Sequence, residues 1–175
     1  VEAMDEFGKQ VIPDLNAQLP ADNPTWTNLS GLAVKLKGAI LMGHSESAFF
    51  PEEAALINPE DINGLITIEG LCPPLKSDQI SILAKIPTLI VFGDHFDDVP
   101  APYRNFWKAR FDSCSQFVKQ VNAAGGDATM MHLPEYGLLG NSHMLMQDKN
   151  NLQVADLILK WIDEHVERKN TVASR

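Results

Sequence analysis

Short, largely apolar runs that alternate with stretches of helical periodicity constrain this chain more than any other feature. Ala39-Ile40-Leu41-Met42, Ile62–Ile68, Pro87–Phe92 and Ala128–Leu133 each read as a buried strand, being too short for an ordinary helix. Around them, apolar residues recur at helical spacing. Trp26, Leu29, Leu32, Ala33 and Leu36 follow Asn23-Pro24-Thr25, and a second helix is expected from Ser47 to Leu56. Phe106, Trp107, Cys114, Phe117, Val118 and Val121 mark a long helix over Tyr103–Ala124, and a last one is expected from Asn151 to Glu167. An earlier helix is expected over Glu2–Gln18, bent or ended by Pro13. Gly38 and Gly125-Gly126 sit where glycine terminates helices. Strands apolar on both faces need cover on both, which predicts an α/β fold with a mostly parallel sheet between helices.

Composition narrows the functions open to such a fold. The net charge is −9, and the 14 basic residues are scattered singly among 23 acidic ones. No basic patch is available to neutralise phosphates, so nucleic acid and anionic membranes are not expected partners. No apolar run approaches the roughly 20 residues that span a bilayer. No glycine-rich phosphate loop follows a strand, which leaves a phosphate-binding α/β protein as a remote alternative. Cys72 and Cys114 lack CxxC spacing and read as two buried thiols, with a single bridge open to them in an oxidising compartment. No metal and no cofactor are expected. The start, Val1-Glu2-Ala3-Met4, lacks the basic and apolar segments of a signal peptide.

In a parallel sheet, chemistry gathers at the carboxyl ends of the strands. After the first strand stands Gly43-His44-Ser45-Glu46-Ser47, between an apolar run and a helix. That is the setting of a nucleophile elbow. The turn is tight, so its flanks must be small, and it lifts the central Ser Oγ toward the amides of the next helix. Ser47 replaces the usual second Gly but is still small. The competing role for Ser45 is a helix N-cap.

An elbow needs an acid and then a base further along the chain. His143 lies between the last strand and the last helix, in a loop with Gly137, Gly140 and Asn141. His44 is inside the elbow, His132 is in a strand and His165 is on the last helix, so His95, after the third strand, is the serious rival. Two carboxylates compete for the acid. Asp94 follows the third strand, where α/β-hydrolases commonly place it, and Glu69 follows the second. Spacing alone leans to Asp94.

The elbow His44-Ser45-Glu46-Ser47, Glu69 with Cys72-Pro73, Val91-Phe92-Gly93-Asp94-His95 and Asn122-Ala123-Ala124-Gly125-Gly126 together form a recognisable set. Asn23-Pro24-Thr25 with Asn28-Leu29-Ser30 precedes it. Gly140-Asn141-Ser142-His143-Met144, Met146-Gln147-Asp148 and the run from Asn150 to Leu159 follow. Through these segments, over nearly its whole length, the chain resembles a small group of microbial serine esterases of the α/β-hydrolase superfamily, in which the catalytic acid is an unusually early Glu. Residue by residue, the resemblance implies Ser45 as nucleophile, Glu69 as acid and His143 as base. It displaces Asp94 to a role such as bonding loop amides.

The implied reaction is hydrolysis of a carboxylic ester through an acyl-enzyme. The N–H of Glu46 is expected to supply one oxyanion donor, and a loop after an earlier strand normally supplies the other. No strand is read before Ala39–Met42, so residues 1–175 are expected to be the C-terminal part of one α/β-hydrolase domain. The rest, including the oxyanion loop, would come from an N-terminal segment or chain of the same precursor. An acyltransferase, amidase or lyase on the same triad, and a non-catalytic binding module of the same fold, are the alternatives. A partly apolar ester is expected, with Phe49, Phe50, Leu71, Phe96 and Leu138-Leu139 as candidate pocket residues. A homo-oligomer is left open, and a secreted or periplasmic location is slightly favoured over the cytoplasm.

Overall fold

A computed structural model describes residues 24–96 and 99–167. The helix expected over Glu2–Gln18 lies outside them. The elements run α1 (Pro24–Leu36), β1 (Ala39–His44), α2 (Phe50–Ile57), β2 (Ile62–Ile68), α3 (Ser77–Leu83), β3 (Thr88–Phe92), α4 (Ala101–Ala123), β4 (Ala128–His132) and α5 (Asn151–His165). Among the described residues the four strands form one sheet in the order β1-β2-β3-β4, and all neighbours are parallel.

The sheet sorts its side chains by alternation. Leu65, Ile90 and Phe92 point to one face, where they meet Ala33 of α1, Ala54 and Ala55 of α2, Leu83 of α3 and Phe117 and Val121 of α4. Their chain neighbours Ile66, Leu89 and Val91 point to the other face and pack against Val154 and Trp161 of α5. Every residue of β3 is buried, which is why Thr-Leu-Ile-Val-Phe carries no polar alternation. β1 is bonded on one side only, to β2, and its Met42 is 63% exposed.

Several expectations needed adjusting. The helix expected from Ser47 starts at Phe50, because a 3-10 turn over Ser45–Ser47 comes first and Pro51 stands in the opening turn of α2. Helix α3, after Pro73-Pro74, was not anticipated. Leu32 and Leu36 of the α1 stripe stay exposed. Lys37 (φ 58°) takes the left-handed position after α1, and the Gly38 N–H bonds the Ala33 carbonyl at 3.2 Å. Cys72 and Cys114 are not thiols: they form a disulfide that ties the loop after β2 to the middle of α4. They stand 42 positions apart, for which loop-closure entropy alone corresponds to about 4 kcal/mol.

Candidate active site

The carboxyl ends of β1, β2 and β3 and the loop before α5 bring the expected residues together. Ser45 turns the chain at the end of β1 with φ 60°, a left-handed conformation that non-glycine residues adopt at a cost. Gly43 permits the turn, since a Cβ there would sit 2.3 Å from the Ser47 carbonyl oxygen. The Ser47 hydroxyl donates to the His44 carbonyl at 3.0 Å and the Ala48 N–H to the Ser45 carbonyl at 3.2 Å, closing the turn locally.

His143 Nε2 is 2.7 Å from Ser45 Oγ. Its loop is held from two sides. Asp94 accepts the N–H groups of Gly140 and Asn141, each at 2.8 Å, through separate carboxylate oxygens. Asp148 accepts the Ser142 N–H at 2.8 Å and the Ser142 hydroxyl at 2.7 Å, while the Asn141 amide reaches Asn150 at 2.8 Å. Burial would push the Asp148 carboxyl up, but these bonds outweigh it and hold it low. His44 adds a fixed point by donating Nε2–H to the His143 carbonyl at 2.8 Å.

Glu69 follows β2, fully buried and with φ 52°. One oxygen accepts the Gly93 N–H at 2.6 Å. The other lies 2.7 Å from His95 Nε2 and 3.5 Å from His143 Nδ1. The second distance is an electrostatic contact rather than a formed hydrogen bond, and His143 Nδ1 has no other partner. Desolvation raises the Glu69 carboxyl, yet the neighbouring imidazoles of His143 and His95, the Gly93 N–H and the charge of His95 together hold it below the usual carboxylate range. Of the two carboxylates weighed from the sequence, Glu69 therefore meets the imidazole and Asp94 clamps the loop. His95, the rival base, contacts Glu69 and not Ser45.

Glu69, His95 and His143 are also a potential metal cluster, with donor atoms spread within 4.8 Å. Glu69 is bonded to His95 and lies beside His143. Behind the elbow, buried Glu52 contacts Thr67 Oγ1, and that hydroxyl also donates to the Ala48 carbonyl at 3.1 Å. One hydroxyl hydrogen cannot serve both acceptors, so a protonated Glu52 completes the set. Burial pushes its carboxyl up to about 7.

A cavity of about 420 Å³ opens beside Ser45 and His143, lined by Glu46, Phe49, Glu69, Leu71, Phe106, Trp107 and Arg110. Phe49 and Leu71 were expected there. Phe50 instead packs edge-on against Trp26 and Phe49, Phe96 is in the core, and Leu138 packs on the α5 face of the sheet. Leu139 lines a separate depression with Gly140 and Asp148. Sequence reasoning missed the wall contributed by α4, where Phe106 and Trp107 were assigned to a core stripe and Arg110 was passed over. A larger cavity, about 660 Å³, lies between the amino ends of β2 and β3 and carries no nucleophile and base pair.

No protein-family model matches the chain. A solved structure described as a novel bacterial esterase is 44% identical and superposes with a TM-score of 0.80 over 95% of this chain and 50% of its own. The structure of esterase PE8, 18% identical with a TM-score of 0.50 over 84% of this chain and 66% of its own, shares the fold. A probable secreted lipase, phiG, of a fungal species (strain ATCC 74256) is 33% identical over 82 residues, 47% of this chain and 19% of the lipase. The chain thus spans half of the bacterial esterase and less of the lipase. The resemblance to microbial esterases holds, and the architecture is of the α/β-hydrolase type.

Proposed function

We propose that the chain carries the catalytic triad of a serine carboxylesterase, with Ser45 as nucleophile, His143 as base and Glu69 as acid. The observation that carries this reading is Ser45 Oγ, presented on a turn with φ 60°, 2.7 Å from His143 Nε2. His143 takes the Ser45 proton as Oγ attacks the ester carbonyl, then returns it to the departing alcohol. A water repeats the sequence on the acyl-enzyme and releases the acid. Buried Glu69 stabilises the imidazolium formed at each step. The contact of 3.5 Å shortens as positive charge develops, since catalytic hydrogen bonds often tighten only along the reaction. His95 is a positioning residue: its bond to Glu69 fixes the carboxylate rotamer and tempers its pull on His143. Glu46 supplies an oxyanion donor through its backbone N–H, a contribution of about 2.7–4 kcal/mol in comparable sites.

The second donor belongs to a partner segment. β1 has an open edge among the described residues, with exposed Met42, and further strands of the same enzyme would pair there. An N-terminal segment or separate chain of one precursor fits that edge. Denaturing electrophoresis of the active preparation tests this: a fully active species of 19.3 kDa alone contradicts it. The disulfide fits an exported enzyme, as does the secreted relative. No helix among the described residues is long and apolar enough to cross a membrane.

Hydrolysis of 4-nitrophenyl esters by the full-length protein tests the activity. Ser45→Ala is expected to lower kcat by about 10⁴-fold or more. Retention of turnover by this variant overturns the assignment.

A further inference from the structure

The cavity beside Ser45 holds a cation that the hydrolytic reaction does not use. Arg110 stands on α4 one turn after Phe106, and that spacing lays its guanidinium over the ring, Cζ 3.5 Å from the centroid and 5.6 Å from that of Trp107. Trp107 in turn packs 4.5 Å from the His143 ring. A strip of aromatic surface therefore runs from the catalytic imidazole to a positive charge within one cavity.

That charge has no carboxylate partner among the described residues. The neighbouring acids are engaged or apart: Glu69 is bonded to Gly93 and His95, Asp112 pairs with Lys108, and Glu46, on the cavity wall, forms no ion pair with Arg110. Burial lowers the guanidinium's pKa with no anion offsetting it. Arg110 is partly buried and, in a chain of net charge −9, leaves a positive charge open to an anion within the cavity that holds Ser45.

We propose that Arg110 is a substrate-binding residue, and that the preferred ester carries a second, ionised carboxylate that docks on it. This deepens the esterase reading and rests on it. The guanidinium fork matches a carboxylate through two parallel N–H donors, and aromatic surface suits the apolar link between that carboxylate and the scissile ester. Glu46 on the same wall disfavours the reverse orientation by like-charge repulsion. Arg110 thereby selects among esters without touching the reacting atoms.

The test compares matched ester pairs on the full-length protein. In one pair the charge is on the acyl side (4-nitrophenyl hydrogen adipate against 4-nitrophenyl hexanoate). In the other it is on the alcohol side (3-acetoxybenzoate against phenyl acetate). For one pair, kcat/KM is expected to favour the anionic member by about 10- to 100-fold, the worth of a charge-assisted hydrogen bond. Arg110→Gln and Arg110→Met are expected to abolish that ratio, and Arg110→Lys to keep part of it. Because the ratio is read within one preparation, partial misfolding of a variant cancels. Hydrolysis of the neutral esters by the unaltered protein with no anionic preference overturns the proposal and leaves the esterase reading standing, as does a preference that survives in Arg110→Met. Failure to hydrolyse any of the four, with Ser45 unreactive toward a phosphonate, removes both.

Discussion

The ends of β2 and β3 are neighbours in the sheet, and each is followed by a carboxylate, yet the two do opposite work. After β2, Glu69 is buried, left-handed in its backbone and turned toward two imidazoles and one amide. After β3, Asp94 faces outward enough to clamp the amides of Gly140 and Asn141, and the next residue, His95, turns inward to the acid of the other strand. The β2 end is also the better anchored. The Cys72–Cys114 bond ties it to α4, and Glu52 backs it through Thr67. The β3 end is held by hydrogen bonds. Position after a strand therefore does not tell which carboxylate meets the imidazole. Reach decides it, together with which polar groups are already satisfied.

Substitutions can break or sharpen this contrast. Glu69→Gln keeps the shape and removes the charge, so kcat/KM for an ester is expected to fall by about 10³- to 10⁴-fold. Replacing both Cys72 and Cys114 by Ser is expected to cost about 4 kcal/mol in urea unfolding. A loss under 1 kcal/mol would show that the β2 end does not depend on its covalent tie. Glu52→Gln sharpens the contrast through pH. The Glu52 carboxyl is raised from 4.5 to about 7, so the folded protein holds a proton that the unfolded chain releases above pH 4.5. Stability from this group is full below that value and declines up to about pH 7, by an amount on the order of 3 kcal/mol. Glu52→Gln is thus expected to stabilise the protein at pH 8 and to change little at pH 4.5, as thermal melts at the two values would show. The smallest effect is expected from His95→Asn. Freed of one donor, Glu69 holds the imidazolium of His143 more firmly, which moves the acidic limb of the kcat/KM profile up by about 0.5–1 pH unit. A fall in kcat with no shift of the limb would reduce His95 to packing.

Much of this was legible in the residues, unevenly and for physical reasons. The β2 span is as expected and β3 begins one residue later, because strands covered on both faces leave nearly unbroken apolar runs. Ser45 and His143 were legible because a strand, a small-residue turn and a late loop confine where they can sit. Spacing leaned to Asp94, since it follows the strand where the acid commonly stands, and only the likeness to an esterase group pointed to Glu69, the carboxylate that lies beside His143. The α4 wall was lost because Phe106 and Trp107 stand at core-like spacing on a helix whose start overhangs the site. The disulfide stood only as an alternative to two thiols, because a separation of 42 residues carries no pairing signal.

The most direct test of the central claim is the rate at which an aryl phosphonate modifies the full-length protein, with the modified residue located by peptide mass. The expected result is one adduct on Ser45, absent from Ser45→Ala, forming at least about 10³-fold more slowly in Glu69→Gln and within about 100-fold of the unaltered rate in Asp94→Asn. An adduct elsewhere, or a rate that collapses in Asp94→Asn while Glu69→Gln keeps it, would contradict the account.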